Sequence, residues 1–104
     1  MWLVTQYGIY SITNVLHPNG SLDPMIVAVW ARRVDHLRNL QKRFPALESR
    51  EITISKNRGY RRCRLFVPRL LWASTVAELE REQERWLLRR EIMETEQDQD
   101  EMLL

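Results

Sequence analysis

One cysteine, two histidines and three glycines in 104 residues leave little material for several kinds of site. Cys63 alone excludes an internal disulfide and a Cys-rich zinc centre. His17 and His36 stand at no ligand-like spacing from acidic residues, so no metal is expected. Cys63 also has no histidine at an activating distance in sequence and reads as a small buried hydrophobe. With so few glycines there is no phosphate loop or dinucleotide fingerprint, and no nucleophilic serine motif is present. Accordingly no catalytic residue, no metal, no cofactor and no small-molecule substrate are assigned. No apolar run approaches the roughly 20 residues that span a bilayer. The chain opens on a strand-like segment without a basic region or a small-residue cleavage site, which predicts no signal peptide. A lone thiol fits a reducing compartment, and a cytoplasmic location with no membrane partner is the expectation.

What is present is a single domain's worth of ordinary globular sequence. Hydrophobic residues make up 44% and charged residues 29%, both close to the soluble average. A chain of this length can bury roughly 60–70% of its unfolded surface in one core. Charge is unevenly spread: residues 1–71 hold 12 Lys or Arg against 4 Asp or Glu, and residues 72–104 hold 4 against 10. Such asymmetry suggests a basic binding face beside an acidic tail, or an acidic helix lying on a basic sheet.

Periodicity supplies the elements. Residues 1–15 are rich in β-branched and aromatic side chains and end at "HPNGSLDP", a loop by its prolines and Asn-Gly. "MIVAVWA", residues 25–31, reads as a buried strand. Val34, Leu37, Leu40, Phe44 and Leu47 recur at helical spacing until Pro45 stops the helix near Phe44. "REITIS" alternates with Ile52 and Ile54 on one face, "KNRG" turns, and "YRRCRLFV" is a further strand. Pro68 suits the first turn of a second helix carrying Trp72, Val76, Leu79 and Trp86. Ile52, Ile54, Leu65 and Val67 are expected to share a core with Val34, Leu37, Leu40, Val76 and Leu79, and Trp2, Trp30, Trp72 and Trp86 to anchor it, with Trp86 the possible exception. His36 reads as a polar position on the first helix. The order β-β-α-β-β-α predicts a two-layer α+β domain, an antiparallel sheet with both helices on one face and the other face left to solvent or a partner. The domain is expected to cover residues 1–95, with 96–104 an acidic, frayed tail.

Two resemblances start from "YGIYSITN". Gly8, Ile9, Tyr10, Ile12, Thr13, Asn14, Asn19 and Gly20 resemble the opening of GIY-YIG nucleases, with Arg32, Arg33 and His36 loosely where such an enzyme holds an arginine. That family's Tyr-Ile-Gly on the second strand is missing, because this chain has "VAVWA" there. No carboxylate stands out to hold a catalytic metal, Glu48 and Glu51 being the nearest candidates. A longer resemblance, over residues 1 to about 80, is to a family of short uncharacterised bacterial proteins opening Met-Trp-x-x-Thr-x-Tyr-Gly. Met1, Trp2, Thr5, Tyr7, Gly8, Tyr10, Ser11 and Ile12 match that opening. Val29, Arg32, Asp35 and Leu37 are similar to the middle, Tyr60 and Arg64 to a later strand, and Trp72, Ala77 and Leu79 to the final helix. The ending departs: the family commonly closes on Asp-Tyr-x-Asn-Phe-Lys, and this chain has "EREQERWLLRREIMETE".

Two candidate surfaces remain. Lys56, Arg58, Arg61, Arg62 and Arg64 with Tyr60 form a basic, aromatic hairpin suited to phosphates and a stacked base. Alternation puts Tyr60, Arg62, Arg64 and Phe66 on one face and Arg61, Cys63, Leu65 and Val67 on the other. The plainer reading pairs these arginines with the acidic second helix or Glu51. Trp86, Leu87, Ile92 and Met93 exceed what a charged helix can bury on a small sheet, which suggests self-association or a protein partner. The expected function is a small non-enzymatic binding module, meeting protein through its C-terminal helix and nucleic acid or a nucleoprotein through its basic face. The alternatives are a degenerate GIY-YIG-like nuclease and a small inhibitor docking on a nucleic-acid-processing complex.

Overall fold

A computed structural model describes residues 1–56 and 61–85 of the chain. Its strands are β1 (Trp2–Thr5), β2 (Gly8–Leu16), β3 (Leu22–Ala31), β4 (Thr53–Ile54) and β5 (Cys63–Pro68). Helix α1 (Val34–Arg43) follows β3, with a 3-10 turn at Pro45–Leu47. Helix α2 begins at residue 69 and is described as far as 85. The strands form one sheet in the order β1-β2-β3-β5-β4, and every neighbouring pair is antiparallel. The α+β class and the antiparallel sheet with its two helices are as the sequence predicts.

One extra strand appears at the start. Residues 1–15 read as a single strand but fold as a hairpin, with Gln6 and Tyr7 between the paired Thr5 and Gly8. Thr5 closes the turn: its Oγ1 accepts from the Tyr7 N–H at 3.1 Å and donates to the Gly8 carbonyl at 3.2 Å. This threonine-built turn lacks the Asn-Gly signature of a two-residue hairpin, so the apolar pattern runs through it unbroken. Strand β3 also begins earlier than expected, at Leu22. Pro24 is accommodated because the ladder to β2 shifts between Asn14 and Leu16, where no regular pairing requires its missing N–H.

The core lies between the sheet and the helices. Val27, Val29 and Ala31 of β3 pair with Val67, Leu65 and Cys63 of β5, and all six are buried with Leu37 and Leu40 of α1 and Trp72 and Leu79 of α2. Val34, Ile52 and Val76 pack partly against them, and Leu47 of the 3-10 turn is fully covered. The Cys63 thiol donates to the Ala31 carbonyl at 3.1 Å, and burial pushes its pKa up. Two expectations are corrected. Ile54 is 63% exposed, because β4 is a two-residue edge strand beyond the cover of the helices. Of the tryptophans expected to anchor the core only Trp72 does so among the described residues, since Trp2 and Trp30 belong to the opposite face.

Candidate functional site

The Gly-Ile-Tyr segment is structural in what it touches. Gly8 faces α1, and a Cβ there would lie 2.4 Å from His36 Cγ, so only glycine lets the helix approach so closely. Across that contact the Ile9 N–H donates to His36 Nδ1 at 3.3 Å. The Tyr10 hydroxyl donates to the His36 carbonyl at 2.7 Å. Tyr10 is completely buried, and desolvation drives its pKa upward. His36, expected as a plain polar position of the helix, is instead the residue around which the first hairpin closes.

The helix layer also uses its own acids. The Tyr7 hydroxyl donates to Glu82 Oε2 at 2.7 Å, and Arg43 pairs with the other oxygen of Glu82 and, at 3.7 Å, with Glu78. Burial and then Glu82 raise the Tyr7 pKa. Arg81 takes the second oxygen of Glu78 at 2.7 Å. Among the described residues, therefore, the acidic groups of α2 that form ion pairs do so with Arg43 and Arg81. None of these pairs includes Arg61, Arg62 or Arg64.

The face turned away from the helices is set by strand register. Trp2 pairs with Ser11, Ser11 with Trp30, Trp30 with Arg64 and Arg64 with Thr53, one row crossing all five strands. Val4 and Ile9 pair beside this row, and Ala28 pairs with Thr13 and Phe66 on its other side. With strands about 4.8 Å apart, Trp2 and Arg64 stand about 14 Å from each other across three gaps. Much of the face is open: Trp2 is 57% exposed, Val4 62% and Phe66 38%.

Arg64 is the organising cation of this face. Its guanidinium carbon lies 5.2 Å from the Trp30 ring centroid and 4.7 Å from that of Phe66. Nε is buried and makes no hydrogen bond among the described residues, so the two rings hold the group, each such contact being worth about 0.5–2 kcal/mol. Trp30 is fixed in turn, its Nε1–H donating to Thr13 Oγ1 at 2.8 Å. A guanidinium close to aromatic rings keeps its full charge and its fork of N–H donors, the chemistry that suits an anionic partner.

The structure brings together only part of the predicted hairpin. Arg64 lies on the open face with Phe66, as alternation predicts. Arg61, Arg62 and Lys56 are exposed around the turn leading into β5. Arg58 and Tyr60 lie outside the described residues, as do Trp86, Leu87, Ile92 and Met93 of the expected protein interface and the expected boundary at residue 95. Sequence reasoning missed the aromatic partners: Trp2 and Trp30 were assigned to the core. The signal was available, since Trp30 falls out of phase with Val27, Val29 and Ala31 in the same strand.

Among the described residues no His, Cys, Asp and Glu group could hold a metal ion, and no helix is long and apolar enough to cross a membrane. No family model, curated protein or solved structure matches the chain. The fold and its exposed face define a small two-layer α+β domain with an aromatic and basic sheet surface.

Proposed function

We propose that this protein is a non-enzymatic binding module that engages nucleic acid through the open face of its sheet. The observation that supports this reading is Arg64 lying over the Trp30 and Phe66 rings without an ion pair among the described residues. A partly buried cation with no ion pair among the described residues favours an anionic partner, and the rings beside it favour one with flat groups to stack. Lys56, Arg61 and Arg62 add charge at the same end of β5, and the +8 balance of residues 1–71 gives long-range attraction to a polyanion. Among the described residues, Glu78 and Glu82 of α2 pair with Arg43 and Arg81 rather than with these arginines. Tyr10, the residue the nuclease alternative depends on, serves packing.

Anisotropy titration of labelled oligonucleotides at low salt tests the reading. Wild-type protein should bind, and Arg64→Ala combined with Phe66→Ala should bind far more weakly while keeping its far-UV spectrum. Absence of binding by the wild type would assign the face to a protein partner instead.

A further inference from the structure

We infer that Thr13 is a positioning residue of the open face: by holding the Trp30 indole it sets where the Arg64 guanidinium meets an anion. The inference rests on the nucleic-acid reading above and deepens it. Register brings the three side chains within reach of one another. Trp30 stands directly opposite Arg64 on the neighbouring strand, and Thr13 pairs with Ala28, two residues before Trp30 on the same face. A large ring in a ladder can reach such a diagonal neighbour. Here it does so through a hydrogen bond, Trp30 Nε1–H donating to Thr13 Oγ1 at 2.8 Å. Ala28 lies between Thr13 and Phe66 in that row and is buried. Its side chain is only a methyl group, which leaves the indole room to lean toward Thr13.

The bond fixes more than one ring. An indole has two broad orientations about its outer side-chain torsion, related by a half turn, and only one of them aims Nε1–H at Thr13. In that orientation the ring centroid is 5.2 Å from the Arg64 guanidinium carbon, which is itself 4.7 Å from the Phe66 centroid. Arg64 Nε is buried and makes no hydrogen bond among the described residues, so at that atom the neighbouring rings restrain the group. A donor fork restrained in advance loses less rotamer freedom when an anion binds. The Thr13 hydroxyl is uncharged and acts through Trp30. Its removal should therefore weaken binding without changing the number of phosphates contacted.

The test uses the full-length chain in two ways: titration with a labelled single-stranded DNA at several salt concentrations, and NMR of the same variants without DNA. Thr13→Val keeps the shape of the side chain and removes the acceptor, whereas Thr13→Ser keeps the hydroxyl. In Thr13→Val the Trp30 indole N–H should move upfield and the Arg64 side-chain signals should shift, while the Val29 and Leu65 amides stay in place. Affinity should fall by between about 2-fold and 10-fold, the worth of one hydrogen bond, with an unchanged log–log salt slope. Thr13→Ser should restore the signals and the affinity. Arg64→Ala should instead lower the slope by about 0.7. Wild-type binding that Thr13→Val leaves unchanged, or a loss that Thr13→Ser does not restore, would overturn the inference and leave the nucleic-acid reading standing. No binding by the wild type would overturn the inference together with the reading it rests on.

Discussion

His36 fills the space that a side chain at Gly8 would need. A Cβ at residue 8 would meet His36 Cγ at 2.4 Å and Cβ at 2.6 Å, and Tyr10 two residues on holds the His36 carbonyl through its hydroxyl. The hairpin and α1 are thereby locked at one point. Gly8→Ala should destabilise the domain by about 1–3 kcal/mol, the usual cost of overpacking. His36→Ala in the same chain should recover part of that loss, and a double-mutant cycle by chemical denaturation measures the coupling. Additive losses would mean that the two residues do not share this contact.

Leu37 is fully buried between α1 and the sheet. Leu37→Ala should cost about 2–5 kcal/mol from lost transfer energy and the cavity left behind. A loss below about 0.5 kcal/mol in urea unfolding would place the apolar stripe of α1 elsewhere.

The carboxylate network of the helix layer predicts an acid-side loss of stability. Arg81, through its hydrogen bond, is the main cause of the lowered Glu78 pKa, with the charges of Arg81 and Arg43 adding to it. A carboxyl whose pKa is lower when folded binds fewer protons in the native state than in the unfolded one. Its contribution is therefore complete above the ordinary carboxylate range and fades as pH falls through that range toward the lowered value. Glu78→Gln should reduce stability at neutral pH slightly and make the profile flatter below pH 5. A Glu78→Gln profile parallel to that of the wild type would remove this pair from the account.

Much of the fold is legible in the sequence because burial imposes period two or period 3.6 on it. Val27, Val29 and Ala31, and Leu37 and Leu40, carry that signal plainly, and they are core residues. The first hairpin is not legible, because Thr5 makes its turn through local hydrogen bonds and the strand-like pattern continues across Gln6 and Tyr7. The face was legible in charge and hidden in its aromatics. Arg64 and Phe66 follow from alternation, but a tryptophan's size argues for the core unless its phase is checked against its neighbours, and Trp30 faces the other way. Ile54 misled for a different reason: correct alternation says nothing about whether a helix covers the edge of a sheet.

The buried Tyr10 hydroxyl bears on the nuclease alternative. With magnesium or manganese present, labelled RNA and DNA should remain intact after prolonged incubation with the protein. Metal-dependent cleavage that Tyr10→Phe abolishes would contradict the binding-module account, whereas the expected effect of Tyr10→Phe is a stability loss of about 0.5–1.5 kcal/mol.

The most direct measurement is a titration of isotope-labelled protein with a short single-stranded oligonucleotide, followed residue by residue by NMR. The account predicts that Trp2, Thr13, Trp30, Arg64 and Phe66 shift together along one binding curve, the Trp30 indole N–H included, while Leu37, Leu40 and Leu79 stay in place. Shifts confined to the helix layer, or a saturating titration that leaves the Trp30 and Arg64 signals unmoved, would contradict it.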